Sequence, residues 1–311
     1  MLRFIGRKFV FMLVSLLVLA TATFFLMKAI PGDPFLSEKA VPEKIKENLM
    51  AQYGLDKSLL EQYGIYMKNV FIEFDLGVSM KKKYQTVSGI IEDSFGYSMR
   101  LGLVAVVVSV IVGLFLGVIA ALNHRKFLDS FTMVIAVLGV SIPSFVLAYM
   151  LQYFLGVKIQ LFNVSGLSNP FDYVMPVLAL SALPIAFIAR LTRSSMIEVL
   201  QSDYIKTARS KGLAQKVIMV RHALKNAVLP VVTYLGPMTV NVITGSVIIE
   251  KIFGIPGLGK HFVESVSNRD YTLIMGLTIF YGIILMIARF LTDVAYGIVD
   301  PRIKLSKGKE G

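Results

Sequence analysis

Six stretches of this chain contain no Asp, Glu, Lys or Arg: Phe9–Met27, Leu101–Asn123, Ser130–Val157, Tyr173–Ala189, Asn226–Ile249 and Tyr271–Ala288. A helix rises 1.5 Å per residue, so about 20 residues cross the ~30 Å hydrocarbon layer of a bilayer. The pattern therefore predicts an all-α integral membrane protein with six membrane-spanning helices. The fourth and sixth stretches are slightly short. Each extends if Arg190 or Arg289 snorkels its charge to the interface. The first resembles a signal peptide in being preceded by Arg3, Arg7 and Lys8. Its apolar run is too long for that, and Ile30-Pro31-Gly32-Asp33-Pro34 follows it instead of a small-residue cleavage site, so it reads as a retained helix.

Composition agrees. Of 311 residues, 55% are hydrophobic and 17% charged, against roughly 25% charged in ordinary soluble domains. Cysteine is absent, which excludes disulfides and thiolate chemistry. The three histidines, His124, His222 and His261, match no zinc spacing.

The net charge of +12 has two general readings, nucleic acid or a membrane surface. Its placement decides between them. With the N-terminus in the cytoplasm, the inner side holds Arg3, Arg7, Lys8, Arg125, Lys126, eight basic residues from Arg190 to Lys225, and Arg302, Lys304, Lys307 and Lys309. The short outer loops hold only Lys158, Lys251, Lys260 and Arg269. This asymmetry puts both termini in the cytoplasm, so the charge is a topology signal and no nucleic-acid partner is expected.

The chain thus divides into residues 1–30 (cytoplasmic end and first helix), an external segment 31–97, and a membrane core 98–311 with a cytoplasmic loop at about 190–226. In the external segment, Pro42-Glu43-Lys44 opens a helical pattern that Gly54 can end, and a second runs from about Ser58 to Phe71. The run Lys81-Lys82-Lys83 reads as a solvated face. Gly113 and Gly117 form a small-xxx-small pair that lets two spans approach closely.

Motifs with chemistry are few. Gly254-Ile255-Pro256-Gly257-Leu258-Gly259-Lys260-His261 nearly matches a phosphate-binding loop. His261 replaces the magnesium-holding Ser or Thr, Pro256 removes an amide, and the run falls on the outer face. It reads as a Gly/Pro-bent turn before the last span. No catalytic or metal constellation is present, so no cofactor is expected on this chain. Asn241 and Thr244 lie deep in the fifth span, and Gln152 with Tyr153 in the third. Asn241 must face protein or a wet cavity, either lining a pathway or bonding a neighbouring helix. Arg289 and Asp293, spaced i and i+4, read as a local ion pair or snorkelling pair. Asn163-Val164-Ser165 matches a glycosylation triplet but receives no role.

The most informative stretch is Ser202-Asp203-Tyr204-Ile205-Lys206-Thr207-Ala208-Arg209-Ser210-Lys211-Gly212-Leu213. Ser202 or Asp203 can cap a helix start and Gly212 can end it in the left-handed conformation. Lys206, Arg209 and Lys211 suit the helix C-terminus. Tyr204, Ile205 and Ala208 would then stand in the cytoplasm, either docking in a partner's groove or lying on anionic lipid.

This stretch, with Arg221-His222-Ala223-Leu224-Lys225-Asn226-Ala227, resembles the cytoplasmic "EAA" loop of binding-protein-dependent ABC importers, in the dipeptide/oligopeptide/nickel branch. Ile30–Phe35 with Gln52-Tyr53-Gly54-Leu55-Asp56, Phe253–Gly259, and Val299-Asp300-Pro301-Arg302 agree with the B-type permease subunit. The general Glu-Ala-Ala triplet is Lys206-Thr207-Ala208 here, and Lys225 stands where the general motif has Pro, so general roles carry over safely to Ala208 and Gly212.

The resemblance implies a type I ABC importer permease fold in a bacterial or archaeal plasma membrane. It implies a second homologous permease subunit, two cytoplasmic ATPase subunits and an external solute-binding protein as partners. Tyr204, Ile205, Lys206, Thr207, Ala208, Arg209, Gly212, Arg221 and His222 would form the ATPase-coupling loop. The chain would itself catalyse no reaction. Its cargo would be oligopeptides or dipeptides, with nickel, glutathione or oligosaccharides as alternatives in the same class. An ion-coupled secondary carrier would want carboxylates at mid-membrane, and none of the six stretches contains one.

Overall fold

The computed structural model describes residues 2–29, 43–82 and 84–299. The expected motifs at Ile30–Phe35 and Asp300–Arg302, with Pro42, Lys83 and the basic tail, lie outside those residues. Among the described residues the backbone is helical apart from loops and one isolated antiparallel bridge, Val78 with Thr86.

The helices run in chain order as α1 (Leu2–Ala29), α2 (Glu43–Gln52), α3 (Leu59–Lys68), α4 (Val87–Leu122), α5 (Phe127–Ser141), α6 (Ser144–Leu151), α7 (Val174–Gln201) and α8 (Asp203–Ser210). After these come α9 (Gln215–Val217) and α10 (Lys225–Ala227), joined by a π-helical turn Ile218–Leu224, then α11 (Leu229–Ile252), α12 (Leu258–Asn268) and α13 (Tyr271–Val299). Among the described residues, five helices are long and apolar enough to cross a membrane, within α1, α4, α7, α11 and α13. The helices α7 and α13 continue well past Arg190 and Arg289. Asp293's side chain, expected near Arg289, lies outside the described residues.

The third predicted span differs. It is a bent pair: α5 and the helix continuing from α6 to Lys158 meet at 103°. The break falls at Ile142-Pro143. Proline's ring disfavours helical geometry at the residue before it, and Ile142 is extended (φ −94, ψ 117). A count of uncharged residues is blind to this, since a bent helix pair and a straight span have the same apolar length.

Within residues 43–82 the local signals are met. Gly54 takes a left-handed φ of +63° just after α2. Ser58 caps α3 reciprocally with Glu61, whose N–H donates to Ser58 Oγ (3.4 Å) while Ser58 N–H donates to Glu61 Oε2 (3.0 Å). The helix α12 was not foreseen, because its region reads by composition as a turn.

The chain forms two compact units, interleaved in sequence: residues 1–96 with 256–287, and 97–255 with 288–311. In the first, Ala20, Val70 and Ile279 share a small core. A hairpin around Ser79–Gln85 is pinned to the corner before α13 by Asp270, which is 1% exposed. Asp270 accepts from Ser79 Oγ, from Met80 N–H (3.1 Å) and from Leu273 N–H (3.1 Å).

In the second unit, α5, α6 and α11 pack against α7. Its core joins Leu101, Ala105, Met175, Ile188, Met238 and Ile249. Gln152 is buried and donates to the carbonyls of Val164 (2.8 Å) and Ile252 (3.0 Å), so its polar group ties loop ends together. Large apolar side chains also point outward. Leu103, Val107, Ile111 and Phe115 on α4 and Phe131, Val134, Val137 and Leu138 on α5 are all more than half exposed. Such a surface would aggregate in water, but it is the ordinary lipid-facing surface of a membrane protein.

The Gly113/Gly117 pair does what its spacing predicts. A Cβ at Gly113 would sit 2.7 Å from Ile188 Cβ, and one at Gly117 would sit 2.7 Å from the Ala189 carbonyl oxygen. These contacts fix how closely α4 lies on α7. Gly117→Leu should therefore lower the stability of the detergent-solubilised chain by about 1–3 kcal/mol, the usual cost of overpacking, read as a lower thermal unfolding midpoint. An unchanged midpoint would mean that the two helices do not meet this closely.

Candidate functional site

Helix α7 carries the chain out of the bundle to Ser202, whose extended backbone (φ −68, ψ 153) turns it into α8. Ser202 occupies the cap position expected of it, but its hydroxyl donates backward to the Val199 carbonyl (2.6 Å) instead of capping α8. At the far end Gly212 has φ +73. Its N–H donates to the Arg209 carbonyl (2.9 Å) and Leu213 N–H donates to the Ala208 carbonyl (3.3 Å). This pair of bonds is a Schellman ending, which satisfies the last carbonyls through a left-handed residue that glycine adopts without strain.

One expectation is corrected here. Ile205 and Ala208 are not offered to a partner. Ile205 is 0% exposed and Ala208 7%, and both pack within the chain against Met196, Ile218, Ala223, Ala227 and Ala121. The returning segment from α9 to α10 supplies most of that pocket, and the sequence pattern of a single short helix does not reveal it. The outward face of α8 is Tyr204, Lys206, Thr207 and Arg209, all exposed. Lys206 Nζ reaches Asp203 Oδ1 (2.8 Å) and Thr207 Oγ1 donates to the Asp203 carbonyl (3.0 Å). Tyr204 Oη accepts from Asn226 Nδ2 (3.1 Å), which also donates to the His222 carbonyl (3.0 Å), so the two halves of the loop are tied on the outside as well. Arg221 is exposed and His222 partly so. The result is a knob packed and bonded to the chain's own core, with a polar, basic face.

The other candidates are scattered. Asn241 is exposed along α11, and the side chain of Thr244 lies outside the described residues. The Gly254–His261 run is a turn followed by α12: Gly254 has φ +63 and Lys260 lies in the first turn of α12. His261 Nδ1 accepts from Lys82 Nζ (2.5 Å), and burial pushes this imidazole below its ordinary range, helped by the Lys82 charge. His261 is accordingly neutral at pH 7 and engaged with a lysine of the Ser79–Gln85 hairpin.

Comparison with known proteins places the chain. The family model described as "Binding-protein-dependent transport system inner membrane component" matches residues 113–305, and the companion N-terminal model matches residues 1–112. The chain belongs to this family of ABC importer permease subunits. It is 50% identical over 307 residues to the dipeptide transport system permease protein DppB of Bacillus subtilis, covering 99% of both chains. It is 41% identical to the oligopeptide transport system permease protein OppB of Haemophilus influenzae, over 98% of this chain and 100% of the relative. Among solved structures, the inward-facing MetNI methionine ABC transporter matches with a TM-score of 0.56 at 16% identity, covering 68% of this chain and 96% of that one, which shows a shared fold. An amino acid ABC transporter matches likewise, with a TM-score of 0.53 at 19% identity over 67% of this chain and 92% of that one. The protein is a multi-pass membrane permease of a binding-protein-dependent importer.

Gly212→Val should place a β-branched residue where only a left-handed backbone fits, at a cost of about 1–2 kcal/mol or more. Amide exchange over residues 203–213 should rise while the spans stay protected. Unchanged exchange would mean that α8 does not depend on this ending.

Proposed function

We propose that this chain forms half of the translocation pathway of an ATP-driven peptide importer in a bacterial plasma membrane. Both termini lie in the cytoplasm, and α8 is the point where a cytoplasmic ATPase takes hold. The observation that carries this is the seating of Ile205 and Ala208 in the chain's own core. It makes α8 a handle that cannot move without the end of α7, and it presents Tyr204, Lys206, Thr207 and Arg209 to a partner. A groove that receives a short helix is a common recognition mode.

A complete transporter would need a second homologous permease subunit, two ATPase subunits and an external solute-binding protein. This chain would hold no cofactor and break no covalent bond. ATP binding and hydrolysis on the partners would switch the two permease halves between inward- and outward-facing states, a rigid-body change biased by a ligand. Peptides are favoured as cargo because full-length relatives are dipeptide and oligopeptide permeases. Asn241 and Thr244 are the residues offered to the pathway.

Two outcomes follow. Proteoliposomes holding this chain with its partners should take up a labelled dipeptide when ATP is present and should be indifferent to collapse of ion gradients; gradient-driven uptake without ATP would sink the proposal. The exposed basic face, Lys206, Arg209 and Lys211 with Arg221, should make ATPase association sensitive to salt, because charges on a surface are screened within about 10 Å at 0.1 M. The double variant Lys206→Glu/Arg209→Glu should release the ATPases at salt concentrations that the natural chain tolerates. Equal retention would place the contact elsewhere.

A further inference from the structure

A side-chain cluster outside α8 has no role so far. Asp129, in the first turn of α5, is 4% exposed. Arg193 on α7 meets it through two parallel bonds, Nε to Oδ1 at 2.5 Å and Nη2 to Oδ2 at 2.8 Å. Oδ2 also accepts from Arg125 N–H (2.9 Å) and lies 3.2 Å from His124 Nδ1. Arg125 has a left-handed φ of +65°, uncommon for a residue with a side chain. The turn between α4 and α5 is thus folded around one buried carboxylate. An acidic residue early in a helix suits the dipole on its own. That accounts for Asp129, but not for a guanidinium reaching across from α7 in a two-point grip.

We infer that Asp129 and Arg193 are positioning residues that make the α4–α5 turn move together with α8, and that they set how much transport each hydrolysed ATP yields. This rests on the reading of α8 as the ATPase contact. The neighbouring links are apolar. Gly117 lies against Thr192, and Ala121 and Met196 share a cluster with Ile205. Where α7 lies on α4, such contacts limit separation but are non-directional and do not set orientation. A planar, bidentate arginine–carboxylate pair fixes both separation and orientation. A push on α8 enters α7 through Ile205 and Met196. Arg193, immediately following Thr192, hands it to Asp129 and so to the ends of α4 and α5. Without the grip, α7 can shift while the α4–α5 turn lags.

The test uses the complete complex in proteoliposomes, with Asp129→Asn, Arg193→Gln and the double variant. Three quantities are read: assembled complex recovered, ATP hydrolysed, and labelled dipeptide taken up. The expected result is recovered complex that still hydrolyses ATP, with uptake per ATP lowered at least about five-fold, the low end of ordinary coupling between sites. The double variant should be no worse than either single one, because both remove the same link. Uptake and hydrolysis falling in step, with the ratio unchanged, would make the pair a structural support and overturn the inference. If Asp129→Asn does not assemble, Arg193→Lys carries the same test, since it keeps the charge and loses the two-point grip. Failure of the underlying reading looks different: Lys206→Glu/Arg209→Glu would then retain the ATPases as the natural chain does, whatever the Asp129 and Arg193 variants show.

Discussion

Hydrocarbon offers no partner for a backbone amide, and most of this structure follows from that constraint. Among the described residues, the long apolar stretches are helices, because a helix satisfies its own N–H and C=O groups. The same constraint explains where irregular backbone is found. The break at Ile142-Pro143, the turn at Gly254 and the loop around Val164 lie at helix ends, where carbonyls and side chains take up the freed groups. Gln152 shows this directly, spending its amide on the loop carbonyl of Val164 and on that of Ile252 at the end of α11. Charged side chains are correspondingly rare in the spans and concentrate at the ends, where Asp129, Arg193 and Asp270 organise turns.

Function enters where the bundle ends. A helix of eight residues is too short to be stable alone, yet α8 is held by two buried side chains, a Schellman ending and the Tyr204–Asn226 bond. The buried side chains and the helix ending face inward or along the helix, and the Tyr204–Asn226 bond ties the outer side. The outward residues are long and polar, suited to a partner's surface and costly to bury against lipid. On the proposed reading the chain separates two tasks by residue type: Ile205 and Ala208, buried, would transmit displacement, and Tyr204, Lys206, Thr207 and Arg209, exposed, would receive it.

Much of this was legible from one sequence. Spans announce themselves by length and absence of charge, and the signals at Gly54, Ser58 and Gly212 are local, needing only the backbone rules of turns and caps. What escaped depends on partners distant in sequence. The inward placement of Ile205 requires Ile218 and Ala223 to fold back. Asp129 gave no sign of its partner 64 residues away. The bend in the third span was written in Pro143, but a hydropathy block integrates over it. The helix α12 was hidden because Gly and Pro open it. Within the loop, spacing placed the helix between Ser202 and Gly212 and misassigned which of its residues face outward.

The central claim is that α8 and the neighbouring helix ends move as one body when the ATPases close. The chain contains no cysteine, so single cysteines placed at the exposed positions Ser210 and Lys126 can carry a unique pair of spin labels. The distance between them, measured in the assembled transporter without nucleotide and with ATP trapped, tests the claim most directly. The account predicts the same distance in both states, while the distance from Ser210 to the opposing permease subunit changes. A Ser210–Lys126 distance that shifts with nucleotide would contradict it.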